Sequence, residues 1–230
     1  MRTFLTRVLV LTACLLLTAC WGYSETYTAE SIEGWVVDAT SKQPIEGVVI
    51  TANWQLLGNM AYPIGQLMVM ESVSDSKGRF YFPAWKKEDK TGGFIRAEGP
   101  LLMAFKNGYK LKSHYNKSAA LGKRHGPHLT SEWNGRKIEL QKLSGGIEAE
   151  FAEYEKFSSE LDFKLTLKES PCAWKAIPMT IKTLVPLRKY FEVGYKKSFS
   201  SLDGSLLGSD EFFSSKGCGS SKQFMDMLTQ

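Results

Sequence analysis

Histidine is the side chain best suited to proton transfer and metal binding near neutral pH. The 230-residue chain contains three histidines, His114, His125 and His128. The close spacing of His125 and His128 suits either a weak metal-binding pair or two side chains of a loop. A metal site needs further ligands, and Glu132 does not stand at the zinc-peptidase spacing from His128. The sequence therefore predicts no metal ion, no cofactor and no histidine-based catalytic site.

Serine is the other candidate nucleophile, but its arrangement does not suit catalysis. A catalytic serine needs a base and an orienting acid around an exposed turn. The serines instead cluster with glycines in residues 198–221, and the chain has neither a glycine-flanked nucleophile turn nor a phosphate-binding glycine loop. We therefore predict that the protein is not an enzyme.

The first 19 residues have the layout of a signal peptide. Arg2 and Arg7 precede an apolar run at residues 8–17, and small residues follow that run. The run is about half of the roughly 20 residues that a membrane-spanning helix requires. A cleaved export signal is therefore expected rather than a permanent transmembrane anchor.

The end of this signal contains a cysteine at a specific place. The residues Leu17-Thr18-Ala19-Cys20 resemble the lipobox of bacterial lipoproteins. The resemblance implies that the Cys20 thiol receives a diacylglycerol and that Cys20 then becomes the new N-terminus, and several acyl chains hold a protein firmly at a membrane. Trp21 follows, rather than the aspartate that marks retention in the inner membrane, so the resemblance implies the outer membrane and its periplasmic face. The alternative is an ordinary secretory signal that contains cysteines.

Two cysteines remain once Cys14 leaves with the signal peptide and Cys20 is acylated. Cys172 and Cys218 would then lie in an oxidising compartment, where a disulfide is the default. Two free thiols and a metal-binding pair are the alternatives. The two cysteines do not form a redox motif with two intervening residues, so we expect a structural disulfide.

The overall charge argues against nucleic acid as a partner. The formal net charge is +5, and two of the cations, Arg2 and Arg7, belong to the predicted signal peptide. Between Glu98 and Glu132 the chain has no acidic residue, while cations are interspersed with aromatic residues. These candidate contacts to an anionic surface are Lys106, Lys110, Lys112, Lys117, Lys123 and Arg124. They suit lipid head groups, lipopolysaccharide phosphates or an acidic polymer, or they keep a solvated loop soluble.

Residues 31–143 have the pattern of short β-strands. β-Branched and aromatic residues are concentrated in short segments, and turn residues stand between them. The predicted strands include residues 35–37, 48–50, 67–74, 79–82, 94–97, 102–105 and 136–143. Residues 75–78 form a predicted tight turn, in which Gly78 takes a positive φ. No helical period intrudes, so we predict an antiparallel β-sandwich, because a parallel sheet would need crossover helices.

Four short motifs follow one another in this region. They are Gly34-Trp35-Val36-Val37-Asp38, Pro44-Ile45-Glu46-Gly47-Val48, Ser74-Asp75 with Gly78-Arg79-Phe80, and Asn107-Gly108-Tyr109. In order and spacing this set resembles the carboxypeptidase regulatory-like family, over about half of the chain. The resemblance implies a seven-stranded antiparallel transthyretin/Ig-like β-sandwich, a noncatalytic module used for folding, spacing or binding.

Helical spacing begins after residue 146. Ile147, Phe151 and Tyr154 recur three or four residues apart, which predicts an amphipathic helix. A second helix is predicted from Pro178, and Pro186 is expected to restrict its continuation.

The predicted organisation is mainly β with a C-terminal α-helical extension. A signal peptide at 1–19 and a linker at 20–30 precede the β-sandwich at 31–143 and the helical extension at 144–230. The predicted disulfide ties the Ser/Gly-rich tail of this extension. Within the sandwich, the apolar connection at 54–66 is either an exposed recognition surface or a cover for a sheet edge.

These observations predict a noncatalytic envelope lipoprotein. Acyl chains would anchor a β-sandwich that serves binding or assembly in the periplasm, with an envelope protein or a glycan as the partner. Two alternatives are an accessory or enzymatic component acting on peptide or glycan, and a purely structural brace of an envelope complex.

Overall fold

The computed structural model describes residues 25–58, 62–95, 98–117, 126–165, 170–196, 206 and 209–229. The predicted signal peptide and Cys20 lie outside these residues, as do Lys123, Arg124 and His125. Among the helices of the described ranges, none has the length and hydropathy needed to cross a membrane.

The described residues form eleven β-strands. They are β1 (Glu25–Ala29), β2 (Ile32–Asp38), β3 (Val49–Leu57), β4 (Pro63–Val73), β5 (Arg79–Phe82), β6 (Trp85–Asp89), β7 (Phe94–Ile95), β8 (Leu101–Phe105), β9 (Lys112–His114), β10 (His128–Leu129) and β11 (Arg136–Leu140). The protein is therefore mainly β, with sheets arranged like a β-sandwich, as the sequence predicts.

Six strands form two three-stranded sheets, with the orders β10-β1-β6 and β11-β2-β5. The pairings of β1 with β6 and of β2 with β5 are antiparallel. The pairings of β1 with β10 and of β2 with β11 are parallel, which corrects the expectation of a wholly antiparallel sandwich. These parallel pairings need no crossover helix, because other strands of the sandwich connect β1 to β10 and β2 to β11 along the chain.

Strand β1 lies in the segment that the sequence assigns to a linker at 20–30. Its Tyr27 and Ala29 are buried in the core of the sandwich. The prediction of a linker is therefore wrong from Glu25 onwards. The sequence did not show this strand, because β1 is short and pairs with strands that lie far along the chain.

The remaining strands form a sheet with the order β4-β3-β8-β9, and β7 also pairs with β3. The long β3–β4 hairpin is paired from Val49 and Val73 to Leu57 and Pro63. The apolar segment at 54–66 is consequently mostly paired strand, and Trp54 is buried. The segment is therefore mainly a strand pair, rather than either of its two expected alternatives, an exposed recognition surface or a cover for a sheet edge.

All five residues of β8 are buried, because the two faces of this strand contact different cores. Leu102 and Ala104 point into the sandwich. Leu101, Met103 and Phe105 point the other way, into a second core that the helices complete. The helical extension thus covers the outer face of this sheet.

The helices of the described residues are α1 (Gly146–Leu165), a short 3-10 helix (Ala173–Ala176), α2 (Pro178–Tyr195), α3 (Asp210–Ser215) and α4 (Ser221–Thr229). The expectation that Pro186 limits the second helix is wrong, since Pro186 lies inside α2. A proline removes one main-chain donor, and burial of Ile181, Leu184 and Phe191 on both sides of it stabilises the continuous helix.

The disulfide between Cys172 and Cys218 is confirmed, with their Cα atoms 5.2 Å apart. It joins the chain just before the 3-10 helix to the turn between α3 and α4. Part of the predicted Ser/Gly-rich tail is therefore helical and packed into the second core, where Phe213 and Cys218 are buried.

Candidate binding surface

The outer face of the β11-β2-β5 sheet carries a row of side chains suited to binding. Val36 and Ile138 point into the sandwich core, so their strand neighbours Trp35 and Lys137 lie on the opposite face. Trp35 is in register with Lys137 on β11 and with Arg79 on β5. The indole therefore lies between two cations on strands about 4.8 Å apart. We call this outer face of Trp35, Arg79, Tyr81 and Lys137 the Trp35 face.

A shallow depression of about 480 Å³ lies on the Trp35 face. Its lining residues are Trp35, Val37, Lys42, Pro44, Ser76, Lys77 and Lys137. Trp35 is half-buried, so part of its indole contributes to this surface. The depression thus combines an aromatic floor with three lysines.

Hydrogen bonds to the side chain of Asp38 stabilise the loop that carries Lys42 and Pro44. The Oδ1 atom of Asp38 accepts hydrogen bonds from the main-chain N–H groups of Thr40 and Ser41, at 2.9 Å and 2.8 Å. The bond from Ser41 makes the largest contribution to lowering the pKa of Asp38 below its ordinary value. The carboxylate therefore stays ionised and holds one wall of the depression.

The opposite wall is the predicted turn before β5. Asp75 Oδ1 accepts hydrogen bonds from the main-chain N–H groups of Lys77 and Arg79, both at 2.9 Å. Gly78 has a φ of 73°, as the sequence predicts, and its carbonyl accepts from the N–H of Val36 at 2.7 Å. This geometry places Lys77 beside the strand that carries Trp35.

Two of the cations around the Trp35 face are already neutralised. Lys42 Nζ lies 2.8 Å from Glu139 Oε1. Arg79 pairs with Glu33, and its guanidinium lies 5.8 Å from the centroid of the Tyr81 ring. These two side chains therefore already have carboxylate partners within the protein.

Lys77 and Lys137 differ from these cations. Both are exposed, and neither forms an ion pair with a carboxylate of the described residues. The Trp35 face therefore presents two ammonium groups that are able to bind an incoming anion.

A second depression, of about 430 Å³, shares Lys137 with the first. It is lined by Lys117, Glu132, Trp133, Arg136 and Lys137. Behind it the His114 ring lies against Trp133, with centroids 3.6 Å apart. Burial, with smaller contributions from Lys112 and Lys117, lowers the pKa of His114 to about 4. His114 is therefore a neutral, structural residue at neutral pH.

The other predicted site residues are distributed over the molecule. Lys106 Nζ donates to the carbonyl of Glu46 at 2.6 Å, which uses this cation within the fold. Lys110 and Lys112 are exposed, and Lys117 lines the second depression. Lys123 and Arg124 lie outside the described residues.

Metal binding by histidine finds no support in the described part of the chain. His125 lies outside it, and the His128 ring is hydrogen-bonded to the hydroxyl of Thr28. The described ranges contain no group of three histidine, cysteine or carboxylate side chains that could hold a metal ion.

Sequence reasoning missed the Trp35 face. Trp35 was visible only as part of a strand motif, since Lys137 and Arg79 reach it from distant parts of the chain. The available signal was the alternation around Trp35, because a tryptophan flanked by core residues of one strand must point away from that core.

Comparisons with known proteins give low similarities. No protein-family model matches the chain, and no curated protein matches it. Among solved structures, 3-chlorocatechol 1,2-dioxygenase from Rhodococcus opacus is 16% identical, with a TM-score of 0.31 over 51% of this chain and 61% of that chain. Wild-type catechol 1,2-dioxygenase from Acinetobacter radioresistens is 14% identical, with a TM-score of 0.29 over 54% of each chain.

The C-terminal domain of the shaft pilin SpaA from Lactobacillus rhamnosus GG is 12% identical, with a TM-score of 0.24 over 51% of this chain and 98% of that chain. The chain spans about three fifths of the chlorocatechol dioxygenase and about half of the catechol dioxygenase. Similarities of this size assign neither a family nor a function to the chain.

Proposed function

We propose that the protein is a noncatalytic lipoprotein of the bacterial outer membrane, whose β-sandwich serves binding or assembly in the periplasm. The observation that carries this proposal is the disulfide between Cys172 and Cys218. Disulfides persist in oxidising compartments such as the periplasm and are rare in the cytosol. This agrees with the export signal and the acylation site that the sequence predicts at Cys20.

The arrangement of the strands supports the resemblance to carboxypeptidase regulatory-like domains. Short breaks separate β1 from β2, β5 from β6, β7 from β8 and β10 from β11. The strands of the first, second and fourth pairs lie beside one another's members, as β10-β1-β6 and β11-β2-β5, and β7 and β8 both pair with β3. If each pair is counted as one interrupted strand, the number of strands is seven, which is the number that the resemblance implies. In this arrangement the first and last strands are parallel neighbours.

The position of β1 sets the distance between the sandwich and the membrane. Cys20 precedes Glu25, the first residue of β1, by only a few residues. An extended chain spans at most about 3.5 Å per residue, so acylated Cys20 would hold the sandwich within roughly 20 Å of the lipid surface. The module would therefore act close to the membrane.

The acylation of Cys20 is tested by metabolic labelling with an alkyne analogue of palmitate. The wild-type protein should incorporate the label, and Cys20→Ser should not, because the serine hydroxyl does not replace the thiol in this modification. Cys14→Ser is the matched control, since this cysteine lies within the signal peptide, and it should label as the wild type does. Full labelling of Cys20→Ser would contradict the proposal.

A further inference from the structure

We propose that the Trp35 face binds an acidic polysaccharide, with a sugar ring stacked on the Trp35 indole and acidic groups paired with Lys77 and Lys137. This inference rests on the proposed function for the location of the protein, and it names the class of partner. The acidic groups are carboxylates or phosphates, which share the chemistry that lysine recognises.

The first step is the exposure of an aromatic ring in a central strand. Strand β2 pairs with neighbours on both sides, so the base of Trp35 is held rigidly between β5 and β11. The indole is half-buried, and Val37 and Pro44 extend the apolar surface beside it. A rigid, amphipathic ring of this kind contributes contact area at low entropic cost. It suits the apolar face of a sugar ring, whose hydroxyl groups remain in contact with water.

The second step is the charge around that ring. Lys42 and Arg79 already pair with the carboxylates of Glu139 and Glu33. Lys77 and Lys137 are exposed and form no ion pair within the described residues. The ligand that complements this set is anionic, and its anionic groups must lie beside the ring that stacks on the indole.

The third step is the length of the surface. The depression at Trp35 and the depression at Trp133 share Lys137. The second one adds Lys117, Arg136 and one carboxylate, that of Glu132, beside another tryptophan. Cations and aromatic rings therefore continue beyond the size of one sugar, which favours a polymer with a repeated negative charge. Nucleic acid also combines rings with charge, but the proposed periplasmic location favours a glycan.

The test uses the full chain purified in mild detergent and polygalacturonate, an acidic polysaccharide, as the probe. Binding is measured by affinity electrophoresis in gels that contain the polymer, and neutral dextran is the comparison polymer. The wild-type protein should be retarded by polygalacturonate but not by dextran. Added salt should weaken the retardation, because exposed charge pairs are screened.

The variants test the contribution of the Trp35 ring and the contribution of the two lysine charges separately. Trp35→Ala should weaken binding at least about tenfold, as expected for the loss of one stacking platform. Trp35→Phe keeps a ring and should retain more binding than Trp35→Ala. The double variant Lys77→Gln with Lys137→Gln should weaken binding about twofold to thirtyfold while leaving the ring in place.

Matched controls lie outside this face. Tyr62→Ala removes an aromatic side chain that is 68% exposed in the connection just before β4, and Lys182→Gln removes an exposed lysine of α2. Both controls should bind polygalacturonate as the wild type does. Equal thermal stability of the Trp35→Phe, double-lysine and control variants would show that the fold is intact.

Three results would overturn the inference. They are no retardation of the wild type by polygalacturonate, wild-type binding by both Trp35→Ala and the double-lysine variant, and binding of dextran or single-stranded DNA at least as tight as that of polygalacturonate. The palmitate label on Cys20 is measured separately. Absence of polysaccharide binding by wild-type protein that carries the label would therefore reject this inference and not the lipoprotein proposal.

Discussion

At the scale of single residues, His114 shows how burial changes the chemistry of a side chain. It lies on strand β9 and is 8% exposed, with its ring against Trp133. Burial lowers its pKa from 6.5 to about 4, and the positive charges of Lys112 and Lys117 act in the same direction. At a pH between these two values, His114 is therefore protonated in the unfolded chain but neutral in the folded protein.

This difference predicts a pH-dependent stability. Between pH 4 and pH 6.5 the unfolded chain binds more protons at His114, so its contribution makes the unfolding free energy rise with pH. The slope is at most about 1.4 kcal/mol per pH unit, and the contribution is fully present above pH 6.5. Urea unfolding across this range should show a smaller slope in His114→Phe. An unchanged slope in this variant would contradict the assignment.

A second residue-scale prediction concerns Gly78. An added Cβ would collide with the carbonyl oxygen of Val36, and the φ of 73° is unfavourable for a side chain. Gly92 has a similar φ of 72° but open space around it, so it is the matched control. Gly78→Ala should lower the unfolding free energy by at least about 2 kcal/mol, and Gly92→Ala by about 1 kcal/mol. Urea unfolding measures the loss of unfolding free energy in each variant. Equal losses in the two variants would contradict a destabilising collision at Gly78.

At the scale of elements, a strand residue provides the cap of helix α2. Ile177 has no side chain that can cap this helix. The carboxylate of Glu71, on β4, accepts from the N–H groups of Met179 and Thr180 at 2.6 Å and 2.8 Å, and from the Thr180 hydroxyl at 2.8 Å. Two of the unsatisfied donors at the helix start are thereby satisfied across the interface between sheet and helix.

Removing this cap should destabilise the contact between the helices and the sheet. Glu71→Ala should lower the unfolding free energy by about 1–2 kcal/mol, because three hydrogen bonds are lost. Glu71→Gln keeps one acceptor oxygen and should lose less. Glu46→Ala, at an exposed side chain, is the control for urea unfolding. A loss in Glu71→Ala no larger than in this control would argue against the capping role.

At the scale of the whole molecule, the disulfide links two distant parts of the helical layer, the start of the 3-10 helix and the turn between α3 and α4. The cysteines are separated by 46 positions in the sequence and close a loop that includes α2 and α3. The chain-entropy relation gives such a cross-link about 4 kcal/mol. Its contribution reaches the sandwich because Met103 and Phe105 of β8 share a core with Phe213 and Cys218.

Reduction should therefore weaken the whole protein. The double variant Cys172→Ser with Cys218→Ser should lose about 2–4 kcal/mol of unfolding free energy in urea. A reducing agent should lower the stability of the wild type and leave the double variant unchanged. Equal stability of the oxidised wild type and the double variant would contradict a bracing role.

The amino-acid sequence by itself determined the type of most elements. Alternation around Val36 and Phe80 predicts strands, and the turn at Gly78 follows from the few residues that form it. The disulfide was predictable from the number of cysteines and from the compartment that the sequence predicts. Strand type and turn geometry depend mainly on residues that are neighbours along the chain, so the sequence contains them directly.

Only the tertiary structure decided which of these elements meet. The parallel pairing of β2 with β11, the capping of α2 by Glu71 and the row of Lys137, Trp35 and Arg79 all join residues that are distant along the chain. Local periodicity sets the face on which a side chain lies but not the strand beside it. The strand order depends on burying both faces of the β3–β8 sheet at once, and that is a property of the whole core.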